Sequence, residues 1–206
     1  ALAGLAVNGI EFVGATIRWS DAQTNTTASV SDLSLETGAI RFNEPVSVEF
    51  SAHVISNQPE VDAKITLQTK VMFNEALNVF DVNGLELNVQ ALMPSVSKES
   101  IIVDFKADVH VDLKQQAASL KSVEVSAFGA VLSADFDITE LDSAPKIKGS
   151  ISTNAINARA VARQLQIELP AMANANSLSH ILLETQIDAS PRSVRLNKFK
   201  ITLDKT

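Results

Sequence analysis

The stretch Ile101-Ile-Val-Asp-Phe-Lys-Ala-Asp-Val-His-Val-Asp-Leu113 decides the fold class. Every odd position is apolar: Ile101, Val103, Phe105, Ala107, Val109, Val111 and Leu113. After Ile102, the even positions are Asp104, Lys106, Asp108, His110 and Asp112. Successive side chains on a strand point to opposite faces, so the segment reads as one strand with an apolar face and a charged face. At about 3.3 Å per residue it spans roughly 43 Å, about twice the usual strand. A strand of that length belongs to a broad sheet with one large apolar face. Lys106 falls on the solvent face, where substitutions are tolerated.

The same alternation recurs on both sides. Val46, Val48, Phe50, Ala52 and Val54 form one row, and Val61, Ala63, Ile65, Leu67, Thr69, Val71 and Phe73 form the next. Leu85, Leu87, Val89, Ala91 and Met93 form another. Asn57-Gln58-Pro59, Asn83-Gly84 and Met93-Pro94-Ser95 running on to Ser100 read as turns between them. Strands and turns without helical crossovers imply an antiparallel meander. The expected fold is mainly β: a large, curved, groove-like antiparallel sheet with one short amphipathic helix near the C-terminus.

Two phase changes bear on curvature. Val123 and Val125 are odd whereas Leu132, Ala134, Phe136 and Ile138 are even, and Val194 and Leu196 are even whereas Phe199, Ile201 and Leu203 are odd. Slips of one residue predict bulges, which bend a sheet. A short phrase also recurs, a hydrophobic residue, two spacers, then hydrophobic-x-hydrophobic: VNGIEF from Val7, VSDLSL from Val30, VNGLEL from Val82, LKSVEV from Leu120 and LNKFKI from Leu196. It reads as the way these strands begin. The helix is expected from Asn157 to Leu169, with Ala158, Val161, Leu165 and Leu169 on one side, Asn157 as N-cap and Pro170 as stop.

The chain of 206 residues is 46% hydrophobic and 20% charged, which suits a folded domain with a large core or groove. Residues 1–145 hold 8 Lys/Arg and 20 Asp/Glu, a net of −12, and residues 146–206 hold 9 and 4, a net of +5. The acidic part argues against nucleic acid as a partner. With no cysteine, disulfides and thiolate chemistry are excluded. His53, His110 and His180 stand apart from one another, without a metal-binding spacing, and read as surface residues. Asp104, Asp108 and Asp112 line one strand face and read as a solvated face, not a calcium site. Trp19 ends a strand and reads as core or rim packing. No nucleophile elbow or phosphate loop occurs, so no catalytic residue, cofactor site or metal site is assigned and an enzyme is not expected.

The C-terminal third carries a resemblance. NARAVARQLQIELP, from Asn157, followed by AMANANSLSHILLETQIDASPRSVRLNKFKITLDKT, resembles the AsmA family of diderm bacteria. Members there carry a phrase like (N/D)-P-R-x-L-L-x-x-L-x-I-x-L-P, an A-L helix start and a closing strand L-x-L-D-D-T. Asn157, Arg159, Leu165, Pro170, Leu178, Leu196, Leu203, Asp204 and Thr206 match. GIEFVGATIRWSD and VSDLSLETGAI are similar to the family's Trp-x-Asp motif and its L-x-L-x-T-G strand. Ala158 stands where proline is common, Asn176-Ser177-Leu178 replaces an Asp-Pro-x-x-Leu start, and Lys205 replaces the second aspartate.

The resemblance implies one AsmA-like domain over 1–206, cut from a longer periplasmic protein anchored to the inner membrane by an N-terminal helix. It further implies a part in outer-membrane biogenesis, with TamB-like relatives, and a β-groove that binds or conducts phospholipid acyl chains. Ile101, Val103, Phe105, Val109 and Val111 are the lipid-facing candidates. The alternative is a structural scaffold or adhesin-type domain whose own strands and helix cover the apolar face.

Overall fold

Among the described residues, eleven strands follow one another in a single open antiparallel sheet whose spatial order is the chain order. They are β1 (Glu11–Asp21), β2 (Thr26–Thr37), β3 (Val46–Asn57), β4 (Glu60–Phe73), β5 (Val79–Leu92), β6 (Ile101–Asp112), β7 (Ala117–Ala127), β8 (Ala130–Thr139), β9 (Lys146–Thr153), β10 (Ile181–Ser190) and β11 (Ser193–Leu203). One helix, α1 (Ala158–Gln164), lies between β9 and β10. The protein is described from a computed structural model, in which the described residues are 7–172, 174 and 177–204. The meander expected from the alternating rows is the observed architecture. Short links join neighbours, as at Asn57-Gln58-Pro59 between β3 and β4.

Four of the five copies of the recurring phrase lie inside strands, and the copy at Val7 alone leads into one, β1. Those four mark an extra residue in the middle of a strand. On β5, Val82 stands opposite Val109 and Leu85 opposite Ala107, so three steps on β5 match two on β6. Gly84 takes up the extra residue with φ of 59°. Asn83-Gly84 is thus a bulge inside β5 and not the turn its composition suggested. Ser122 does the same on β7 (φ 52°), Asp32 on β2 (φ 51°) and Lys198 on β11 (φ 51°), each the third residue of its phrase. β1 has its bulge at Gly14 (φ 72°), within a further copy, FVGATI from Phe12; the copy at Val7 lies ahead of the strand. A left-handed residue costs about 1–2 kcal/mol unless it is glycine, so Asp32 and Ser122 are held there by the ladders on both sides and Lys198 by its ladder with β10.

Two of those bulges are held by a carboxylate of the strand opposite. Asp108 Oδ1 accepts from the Gly84 N–H at 2.7 Å, and Asp135 Oδ1 accepts from the Ser122 N–H at 2.9 Å. Followed along the register, the bulges fall on one line from β4 to β11, and a second, offset line joins β1 to β3. Ala52, Ala107, Val123, Ala134 and Thr185, all buried, lie on or beside these lines on the apolar face. The slip expected between Leu196 and Phe199 is this bulge. The one expected between Val125 and Leu132 is instead the β7–β8 turn at Phe128-Gly129.

α1 is shorter than its periodicity suggests. Asn157 does cap it, its side chain accepting from the Ala160 N–H at 3.0 Å. The helix ends five residues before Pro170 because Gln166 turns left-handed (φ 57°). The Ile167 N–H then bonds to the Ala162 carbonyl at 2.8 Å and the Gln166 N–H to the Arg163 carbonyl at 3.2 Å, a Schellman closure. Ala162 is its buried residue, and Leu169, expected on the packed side, is exposed. Gln164 and Arg163 border small clefts against Ser97 and Glu99 of the β5–β6 link, so α1 sits at the strand ends and leaves the sheet face uncovered.

Glycine has opposite meanings at two positions of the bulged region. At Gly149, a Cβ would lie 2.5 Å from Phe136 Cδ1 and against the Asp135 carbonyl, so Gly149→Ala should cost about 1–3 kcal/mol. Ser122→Gly removes left-handed strain at the price of chain entropy and should gain about 0.5–1 kcal/mol. Urea midpoints should therefore move in opposite directions for the two variants.

Candidate functional site: an uncovered apolar sheet face

Cross-strand register carries the apolar rows across the whole sheet. Phe12, Leu35, Phe50, Leu67, Leu87, Phe105, Val125 and Leu132 stand opposite one another from β1 to β8. A second row runs Phe73, Phe80, Val111, Ala118, Ile138, Ile147, Ala189 and Val194, from β4 to β11. The five lipid-facing candidates share this face: Ile101 is buried, and Val103, Phe105, Val109 and Val111 are half-buried among in-register neighbours.

Nothing among the described residues forms a second layer over the face. No large side chain there is fully buried, and the buried set is mostly alanine. The chain exposes 13346 Å². A compact protein of 22.1 kDa exposes about 9,300 Å². At the two free edges the apolar residues are the most open: Ile17, Trp19 and Phe12 on β1, and Val194, Leu196, Phe199 and Ile201 on β11. Trp19 is therefore a rim residue. No helix among the described residues is long and apolar enough to cross a membrane.

The opposite face is a lattice of polar contacts. His53 Nε2 meets Asp62 Oδ1 at 2.6 Å, and His110 Nδ1 meets Asp81 Oδ1 at 2.6 Å. Sequence spacing hid both pairs because the aspartates sit on neighbouring strands. The aspartates of β6 are likewise engaged and not merely solvated: Asp104 accepts from Asn88 at 2.7 Å and Ser126 at 3.2 Å, Asp108 caps the β5 bulge, and Asp112 accepts two N–H groups of the following turn. Across β1, β2 and β3, Glu11, Glu36 and Glu49 stand opposite one another. The row continues to Glu86, whose carboxyl is lowered by the Gln68 amide first and the Lys106 ammonium second. A hollow of about 490 Å³ on this face is bordered by Glu36, Glu49, Glu86, Asp104 and Lys106. No group of His, Asp and Glu suited to a metal ion occurs among the described residues.

A compact latch joins the two ends of the C-terminal third. Asp204 accepts from the N–H groups of Leu178 (2.9 Å), Ser179 (2.9 Å) and His180 (3.1 Å), and from Ser179 Oγ. Its own N–H bonds to the His180 carbonyl. Arg159 Nε donates to the Ser177 carbonyl at 2.6 Å, and the Ala158 N–H bonds to the Leu178 carbonyl. Arg159, Leu178 and Asp204 thus meet in one structural unit, next to the Asn157 cap of α1. Thr206, Lys205 and Asn176 lie outside the described residues. Comparison with protein-family models, with curated proteins and with solved structures finds no match.

Two measurements test these contacts. Lys106 stands between Glu86 on β5 and Glu124 on β7, so Lys106→Asp sets three carboxylates in a row. Contrary to its exposed setting, it should lower the denaturation midpoint, with the loss shrinking as salt is added and Lys106→Gln falling between. Phe105→Asp, on the apolar face, should cost about 2 kcal/mol or more with little salt dependence. The second concerns Asp204, held below its ordinary value of 3.8 chiefly by the Leu178 N–H, against a smaller opposing effect of burial. A depressed carboxyl stabilises the fold above its unfolded pKa and loses that contribution as pH falls through the folded one. The stability gap between the native chain and Asp204→Asn should be full above pH 3.8 and close below it in acid-titrated melts.

Proposed function

We propose that the apolar sheet face binds the acyl chains of a phospholipid or related lipid, in a non-catalytic AsmA-like protein. The observation that carries this is the continuous apolar face left without a protein layer, on a chain exposing about 4,000 Å² more than a compact one of its mass. Ten strand spacings of about 4.8 Å give a face about 48 Å across, against about 15 Å for the hydrocarbon of one bilayer leaflet. The resemblance in Asn157, Arg159, Leu178 and Asp204 supports the family side of the reading: a periplasmic protein, anchored to the inner membrane in its full length and serving outer-membrane biogenesis.

A photo-crosslinking residue at Val103 or Val109 should capture lipid in cells, and one at Lys106 should not. Asp108 is a poor control because its carboxylate holds the β5 bulge. Lipid extraction from the purified chain, followed by mass spectrometry, should return acyl lipid. Adducts to protein alone at Val103 and Val109, with no lipid extracted, would instead make the chain a scaffold or adhesin-type module.

A further inference from the structure

β11 is the last strand of the sheet, eleven residues long and exposed along nearly all of it, with no strand on its outer side among the described residues. On one face Val194, Leu196 and Ile201 continue the apolar rows. On the other, Arg195 and Lys200 each face a carboxylate of β10, and the row that ends at Arg195 alternates in charge. Asp137 of β8 stands opposite Lys148 of β9, Lys148 opposite Asp188 of β10, and Asp188 opposite Arg195. Glu184 of β10 likewise stands opposite Lys200. The next member of each row is a carboxylate. Strands of this chain fit poorly there: a second β11 sets cation against cation, and β1 offers Glu11 and Arg18, one acid and one cation, on a strand with its own bulge at Gly14.

We propose that the outer edge of β11 from Val194 to Ile201 accepts an extended acidic segment as an additional antiparallel strand, its carboxylates meeting Arg195 and Lys200 and its apolar side chains extending the rows of Val194, Leu196 and Ile201. The inference is independent of lipid binding. The spacing of the acids follows from the bulge. The bulged strands β5 and β7 each have a regular strand on both sides, β4 and β6 for the first and β6 and β8 for the second. β10, on the inner side of β11, meets Arg195 and Lys200 with acids four residues apart, Asp188 and Glu184. An incoming regular strand needs the same spacing, with apolar residues at the two odd positions between. Backbone pairing then supplies affinity and the charged rows supply choice.

The test uses two labelled ten-residue peptides of alternating apolar and polar residues, identical except for Glu or Lys at the two key positions four apart. In fluorescence anisotropy the Glu peptide should bind the native chain at least about tenfold more tightly than the Lys peptide. Arg195→Glu with Lys200→Glu should invert that order. Arg195→Gln with Lys200→Gln, which adds no like charge beside Asp188 and Glu184, should abolish the preference and keeps the test valid if the reversed variant folds badly. Because the chain has no cysteine, Ser193→Cys should form a disulfide with a cysteine at the C-terminal end of the peptide and not with one at its N-terminal end. Equal affinity for both peptides, no binding of either, or a preference unchanged in both variants would overturn the proposal.

Discussion

Keeping one face apolar through eleven consecutive strands is the constraint on which the structure depends. A period-two strand inverts its faces after any one-residue insertion. Val82 and Leu85 are an odd number of residues apart, as are Leu120 and Val123, and Leu196 and Phe199. All would fall on opposite faces of a regular strand. The left-handed residue between each pair restores the phase, and the strand opposite supplies a carboxylate or a regular ladder to hold it. The bulges are therefore what makes the alternation of distant segments add up to one surface. Their alignment across neighbouring strands is a requirement of register, since an unmatched bulge would shear every later row.

Much of this was legible in the sequence, and the parts that were not have physical reasons. Strand identity was plain wherever one face is apolar and the other charged, as from Ile101 to Asp112. The bulges were visible as a phrase, but alternation alone does not distinguish a phase change inside a strand from one across a turn. Asn83-Gly84 has the chemistry of a turn because both a turn and a bulge need a left-handed residue. Ser122 and Lys198 carry no such chemical mark. The end of α1 was hidden for the same reason: Gln166 takes the left-handed position that glycine usually marks. The histidine pairs were illegible because His53 and Asp62, or Asp81 and His110, meet only through strand pairing.

The latch around Asp204 shows how a sheet without a buried core of large side chains fixes its last strand. Among the described residues β11 has a strand beside it on the β10 side alone, and it is exposed along nearly all its length. Its pairing with β10 is reinforced at the end by one carboxylate that accepts three backbone N–H groups of the 178–180 turn. Arg159 ties the preceding segment to the same turn through the Ser177 carbonyl. Polar contacts there act where apolar burial is thin.

The direction of the apolar surface bears on what fits it. Read along one strand, the surface is interrupted near its middle by the line of bulges and its small residues, Ala107 and Ala134 among them. Read across the strands, it runs unbroken through Phe50, Leu67, Leu87, Phe105 and Val125. A long apolar ligand would meet the most unbroken surface by lying across the strands, parallel to the bulge line. At about 25 cal/mol per Å², covering even 200 Å² of such a face is worth about 5 kcal/mol, comparable to the lower end of a domain's whole stability. A rod laid along one strand would have to bridge the bend to gather the same area. The length that matters for this face is thus set by the number of strands, and the length of β6, however unusual, sets its width.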